Sequence, residues 1–230
     1  MKLFIALIIT SFTYIFAGVV GHVDKVLGNA KIQKKDTVFK KGLRNGMSLE
    51  VGDLVMTYNE SYVRIVLEDN STLIVDADSL LSFTQESVVS QSQGKVYYKI
   101  TSKKATQPMQ VRTDFAIIGI KGTTFIVKSD DEKALLLQEG RVGISSIEKE
   151  FMLYRKKVQA EFEAYKAKED KAFEEYKNAM DAYEKPQKSA AFDLEEQNTL
   201  SFDDNVVKES AFTQDHNEEF LYFEKLFAKE

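Results

Sequence analysis

The sequence predicts a mainly β protein, and three observations carry that prediction. Short runs alternate apolar and polar residues with a period of two, as in Tyr62–Glu68, where Val63, Ile65 and Leu67 share one face. Turn chemistry separates the runs: Asp69-Asn70 tolerates the left-handed conformation, and Leu73 and Val75 return on one face beyond it. The 230 residues contain 11 glycines but only 2 prolines, so glycine marks most of the breaks. The expected architecture is an all-β domain, a short-stranded sandwich or a β-helical roll, followed by a long α-helix and an acidic tail.

In chain order, Lys2 precedes an apolar run from Leu3 to Phe16, broken by Thr10, Ser11, Thr13 and Tyr14, and Ala17 supplies a small residue at its end. This is the order of a secretory signal peptide over residues 1–17. The run is shorter than the roughly 20 apolar residues of a membrane span. Cleavage after Ala17 would release a periplasmic protein, and an uncleaved segment would anchor it to the inner membrane. Short strands are then expected over residues 18–144. Besides the hairpin above, they fall at Val19–Val23, Asn29–Gln33, Leu54–Tyr58, Ser79–Thr84, Lys95–Thr101, Gln110–Thr113, Thr124–Lys128, Ala134–Gln138 and Arg141–Ile144.

At Ser145 the pattern changes. Ser145 and Glu148 have capping-box spacing, and neither Gly nor Pro occurs before Pro186. A helix over residues 145–186 is expected. It carries an eleven-residue repeat in which Phe151 and Tyr154 recur as Phe162 and Tyr165, then as Phe173 and Tyr176. Eleven residues make 3.67 per turn, so this aromatic stripe would stay on one helix face. The stripe suits packing on the β-domain, binding a partner, or homo-oligomer assembly. Residues 187–230 carry an excess of acidic over basic residues. From Ser189 onward there are 3 Lys+Arg against 11 Asp+Glu, which reads as a partly disordered acidic tail. Phe220–Phe227 would form a short terminal helix.

Composition excludes several chemistries. With no cysteine there is no disulfide, thiolate metal site or thiol nucleophile. The two histidines, His22 and His216, lie far apart in sequence, and no zinc motif or serine-hydrolase elbow is present. No metal, cofactor or enzymatic activity is expected. A net charge of −5 argues against nucleic acid. Gly119-Ile120-Lys121-Gly122 fails as a phosphate loop because its lysine precedes the last glycine. It also differs from an RNA-clamping GXXG loop, since its flanks read as strands and not helices.

The same loop belongs to a longer phrase, Thr113-x-x-Ala116-x-x-Gly119-x-x-Gly122-Thr123-x-Phe125-x-Val127. Earlier come Gly18-Val19-Val20-Gly21, Leu49-x-x-Gly52-Asp53-x-Val55-x-Thr57 and Ser61-x-Val63-x-Ile65-x-Leu67-x-Asp69-x-Ser71. Gly94-Lys95-Val96 and Glu139-Gly140-Arg141-Val142 complete the order. These phrases resemble the FecR domain, an all-β module of bacterial envelopes. Gly52, Asp53, Gly119, Gly122, Thr123 and Gly140 carry the resemblance, and all are expected to be structural. FecR-type proteins relay a signal from an outer-membrane transducer to a cytoplasmic sigma factor, through a cytoplasmic segment and one span. Here the β-region follows the apolar N-terminus directly, so the anti-sigma half of that role is not expected. The resemblance implies a non-enzymatic, exported binding or signalling adaptor with an envelope protein as its partner. The alternatives are a peptidoglycan- or carbohydrate-binding module, with Tyr97 and Tyr98 as stacking rings, or a structural oligomer.

Overall fold

A computed structural model of the protein describes residues 18–101, 108–155 and 186–228. Its first half supplies β1 (Val19–Leu27), β2 (Ala30–Gln33), β3 (Lys40–Gly42), β4 (Ser48–Glu50), β5 (Leu54–Thr57), β6 (Tyr62–Leu67), β7 (Thr72–Val75), β8 (Leu80–Gln85), β9 (Val88–Gln93) and β10 (Lys95–Lys99). The second half supplies β11 (Met109–Arg112), β12 (Ile117–Ile120), β13 (Thr124–Ser129), β14 (Lys133–Glu139), β15 (Arg141–Ser145) and β16 (Phe151–Tyr154). After the second undescribed segment come β17 (Gln187–Ser189), β18 (Ala191–Glu195), β19 (Asn198–Asp203), β20 (Val206–Ala211) and one helix, α1 (Gln214–Ala228).

The strands form two sheets. One has the order β17-β16-β20-β19-β14-β13-β10-β7-β6-β1-β4, the other β18-β15-β12-β11-β9-β8-β5-β2-β3. Alternation along each strand decides the packing. In β12, Ile118 and Ile120 point inward and Ile117 and Gly119 outward; in β15, Val142 and Ile144 point inward. Inward residues of both sheets meet in one core, including Val63, Leu81, Tyr98, Phe125, Leu137 and Ile144. The architecture is therefore a sandwich and not a β-helical roll.

A third layer covers part of the 11-stranded sheet. Its outer face carries Ile74, Tyr97, Ile126 and Leu136, where an exposed sheet would carry polar side chains, and Phe220, Phe223 and Leu226 of α1 close over them. This is why β10 and β14 read as near-continuous apolar runs: they are buried on both faces. Thr213 caps the helix by accepting from His216 N at 3.4 Å, while His216 Nδ1 accepts from Thr213 N at 3.1 Å. At the other end Arg64 donates to the carbonyl of Phe227 at 2.8 Å, a cation on the negative end of the helix.

Two sequence expectations are corrected. The proposed helix does not begin at Ser145. Ser145 ends β15, and Phe151–Tyr154 is a strand whose Phe151 is buried against Phe192 and Phe202. Ser145-x-x-Glu148 has capping-box spacing but sits in a strand-to-strand turn, and tertiary packing overrides the local propensity. Phe162, Tyr165, Phe173 and Tyr176 lie outside the described residues. Residues 187–230 are also not an irregular acidic tail as far as Ala228. Four strands there extend both sheets: β18 pairs with β15 and β19 with β14. Its acidic residues are the outward positions of an alternating strand, with Asp193 and Glu195 exposed and Phe192 and Leu194 buried.

Candidate functional site

Most of the motif residues turn out to hold the fold. Gly52 adopts a positive φ of 99°, and an added Cβ would meet the Lys35 side chain at 2.7 Å. The buried Asp53 carboxylate accepts from Glu50 N at 2.8 Å and from Lys34 Nζ at 2.7 Å, closing the turn between β4 and β5. Gly140 has φ 90°, and a Cβ there would lie 2.7 Å from the Gly122 carbonyl and 2.8 Å from Thr123 Cγ2. Gly122 is also left-handed, with φ 63°. Thr123 exchanges two backbone hydrogen bonds with Ile100. Gly122, Thr123 and Gly140 thus form one tight contact in which each backbone conformation depends on the other.

Gly119 differs. It lies mid-strand with no positive φ, and a Cβ built on it would meet only the Gly143 carbonyl oxygen, at 3.7 Å. Its neighbour Gly143 would likewise meet only Asp193 Oδ1, at 3.5 Å. Packing does not demand a glycine at either place. Glycine inside a strand weakens it and often marks a bulge, a tight bend or a place of close approach by a ligand or another backbone; the strand pairs through Gly119 and Gly143 keep their register, so no bulge accounts for them.

Register joins the two glycines into one feature. Gln110 pairs with Gly119, Gly119 with Gly143, and Gly143 with Asp193, in one row across the outer face of the nine-stranded sheet. The next row is Arg112, Ile117, Ser145 and Ala191. The result is a trough of about 430 Å³ whose floor is bare backbone at Gly119 and Gly143. Gln110 stands at one end and Asp193 at the other, with Ile117 and Ser145 as one wall. Four strands at about 4.8 Å spacing make it about 14 Å long. Arg141, two residues from Gly143, is held by Glu195 at 2.7 Å.

The floor amides and carbonyls are committed to the ladder, so the trough offers close van der Waals approach with an amide, a hydroxyl and a carboxylate at its margins. That is chemistry suited to binding. Among the described residues no group of three His, Cys, Asp or Glu side chains could hold a metal ion. A second hollow of about 230 Å³ between Phe115 and Phe151 holds the Lys133–Asp114 ion pair, with Glu148, Lys149 and Asp204 also on its lining.

Of the sequence-derived candidates among the described residues, only Gly119 is brought to the trough. Gln110, Gly143 and Asp193 were missed. The signal for Gly143 was legible, since it is an outward glycine inside Arg141-Val142-Gly143-Ile144, where alternation leaves room for a side chain. Tyr97 and Tyr98 are unavailable for stacking on a sugar. Tyr97 lies beneath α1, stacked on Phe223 at 5.4 Å, and Tyr98 is in the core, stacked on Phe125 at 4.7 Å.

Comparison with known proteins gives a consistent picture. The family model described as FecR protein matches residues 53–143. Among solved structures, a proposed anti-sigma factor from Parabacteroides distasonis superposes with a TM-score of 0.50 at 12% identity, covering 73% of this chain and 64% of that one. Another crystal structure of a proposed anti-sigma factor from the same organism gives 0.48 at 12% identity, covering 73% and 63%. The chain thus spans slightly under two thirds of these solved chains. No curated protein matches it in sequence. The matched segment contains Gln110, Gly119 and Gly143, while Asp193 comes from the strand added after it.

Proposed function

We propose, for a chain whose residues 53–143 match the FecR family model, a non-enzymatic, exported binding and signalling adaptor of the bacterial envelope. The observation that carries this reading is the trough. Two outward glycines stand side by side in mid-strand, at positions where side chains would fit, and they bare the sheet to another chain. A signalling role is in keeping with the family, and the N-terminal segment with its export-signal order supports a site of action outside the cytoplasm. The partner is a protein presenting an extended segment, which would lie across the strands with polar contacts to Gln110, Ser145 and Asp193.

The test is a photo-crosslinking residue placed at Arg112, beside the trough, in intact cells. A discrete envelope protein should be captured there, lost when Gly143→Val fills the floor, and absent when the crosslinker sits at the exposed Glu218 on α1, over the outer face of the other sheet. Equal capture from Glu218, or no protein above background at Arg112, would overturn the adaptor reading. Co-sedimentation with purified sacculi that Gly143→Val abolishes would instead assign the trough to a glycan.

A further inference from the structure

The outer part of the loop between β2 and β3 adds nothing to the core of the sandwich, with residues 35–41 exposed, yet it is built with care. Asp36 takes a left-handed φ of 58°, Thr37 N donates to Lys34 O at 3.2 Å, and Gln33 Nε2 donates to Thr37 O at 2.8 Å. This closed turn holds Val38 and Phe39 outward, at 82% and 75% exposure the most exposed of the large apolar side chains among the described residues. Cations surround them. Between Lys34 and Arg44 there are five basic residues and one acidic, Asp36, in a chain whose net charge is −5. Lys34 is consumed by Asp53 and by Glu50 at 3.5 Å. Lys35, Lys40, Lys41 and Arg44 are exposed.

The loop's place in the fold says what it faces. Lys34 seats it on the β4–β5 turn, and the same turn holds the start of the described chain: Val51 N donates to Gly18 O at 3.1 Å, and Glu50 pairs with Val19. Gly18 and Val19 therefore lie against the turn that seats this loop. Lysines on an edge strand such as β3 can serve merely to repel other strands. That role gives no reason to expose an adjoining valine and phenylalanine.

We propose that the Lys35–Lys41 loop is a membrane-surface contact, with Val38 and Phe39 entering the interfacial layer and Lys35, Lys40 and Lys41 meeting anionic lipid headgroups. Apolar insertion combined with basic residues is the two-part chemistry of reversible interfacial binding. The assignment rests on the envelope placement proposed above but not on the trough. It would orient the domain with its β3/β4 edge on the bilayer and the β17 edge about 48 Å away, ten strand spacings along the sheet.

The chain has no cysteine, so a single Val38→Cys carries a polarity-sensitive fluorophore at a unique site, with Lys188→Cys as the reference. The full chain is mixed with vesicles of phosphatidylcholine containing 30% phosphatidylglycerol, and with vesicles of phosphatidylcholine alone. At residue 38 the emission should shift to the blue on anionic vesicles, with quenching by lipids spin-labelled near the headgroup, and residue 188 should stay unchanged. Lys40→Glu with Lys41→Glu should weaken the effect at least tenfold, since each lysine at an anionic surface is worth several-fold. These positions are exposed, and circular dichroism checks that the variants fold. No shift at residue 38, an equal shift at residue 188, or indifference to both lipid charge and the lysine substitutions overturns the proposal. Protection of residue 38 only by an added envelope protein would do so too, assigning the loop to an acidic protein partner. Crosslinking at Arg112 reads the trough independently, so failure of one leaves the other standing.

Discussion

Lys128 Nζ donates a hydrogen bond to Glu219 Oε1 at 2.6 Å, joining β13 to α1 across 91 residues of chain. Lys95 approaches the other carboxylate oxygen at 3.3 Å. Burial alone would raise the Glu219 pKa, but the Lys128 hydrogen bond and the two lysine charges outweigh it, and the carboxyl is held below its ordinary value. Nearby Asp76 behaves oppositely. Its burial outweighs the bond that Tyr222 donates at 3.1 Å, and its pKa is raised. Both groups fasten the same helix to the same sheet face.

The two shifts set the pH dependence of helix docking. Glu219 contributes stability that is complete above its unfolded value, near 4.5, and is lost as pH falls through its lower folded value. Asp76 contributes below its unfolded value of 3.8, and that contribution is lost as pH rises through its raised folded value. Docking should therefore be firmest in weakly acidic solution. Urea midpoints across pH should show Glu219→Gln removing the acid-side loss and Asp76→Asn removing the loss on the neutral side. At pH 7 Glu219→Gln should cost about 2 kcal/mol, because it breaks a charge-assisted bond, removes the carboxylate beside Lys95 and leaves Lys128 with Glu132 at 3.6 Å.

Phe151 and Tyr154 belong to one unit of the sequence repeat, yet the fold treats them differently. Phe151 is 2% exposed and makes edge-to-face contacts with Phe192 at 5.7 Å and Phe202 at 6.0 Å, whereas Tyr154 is 38% exposed. Phe151→Ala should cost about 3–5 kcal/mol through the cavity it leaves. Tyr154→Ala should change stability by less than about 0.5 kcal/mol. Equal small effects in chemical denaturation would return these residues to an exposed helix.

What the sequence made legible follows from range. Val63, Ile65 and Leu67 announce their strand because a period of two is local. The turn glycines Gly52 and Gly140 announce theirs because a φ of 99° or 90°, with a neighbour 2.7 Å from any added Cβ, calls for glycine. Phe192 and Leu194 carry the same alternation, yet Asp193, Glu195 and Glu196 between and beside them made the segment read as an acidic tail. Nothing local tells that β15 is waiting as its partner. The eleven-residue repeat misled in the same way, since Phe151 satisfies both a helical stripe and an inward strand position. The trough was invisible because Gln110, Gly119, Gly143 and Asp193 meet only through register across four strands.

The glycines divide into two classes by what an added methyl would meet. Gly140→Ala forces a left-handed residue against the Gly122 carbonyl and Thr123, and should cost about 2 kcal/mol or more. Gly143→Ala has room and relieves the entropic penalty of a strand glycine, so it should stabilise by about 0.5–1 kcal/mol. The same substitution should weaken crosslinking from Arg112. A Gly143→Ala protein that is more stable and captures its partner as well as the parent would show that the bare floor serves no contact.

A buried hydrogen-bond chain ties the two sheets at the centre. Tyr98 OH donates to Gln91 Oε1 at 2.9 Å, and Gln91 Nε2 donates to the carbonyls of Gly94 at 2.9 Å and Val127 at 3.0 Å. Tyr98→Phe keeps the ring stacked on Phe125 but leaves Gln91 Oε1 buried without a donor, at a cost of about 1–3 kcal/mol. Burial also pushes the Tyr98 hydroxyl well above its ordinary value of 10.0. Above that pH the unfolded tyrosine ionises while the folded one stays neutral, so the parent protein loses stability as pH rises. Tyr97, raised chiefly by burial and then by the Glu224 and Glu139 charges, adds to the same loss. Tyr98→Phe should therefore be less stable at pH 7 yet lose stability less steeply above pH 10, and the two denaturation curves should converge. Parallel curves across that range would mean that Tyr98 ionises freely, which a hydroxyl sealed between the sheets and committed to Gln91 cannot do.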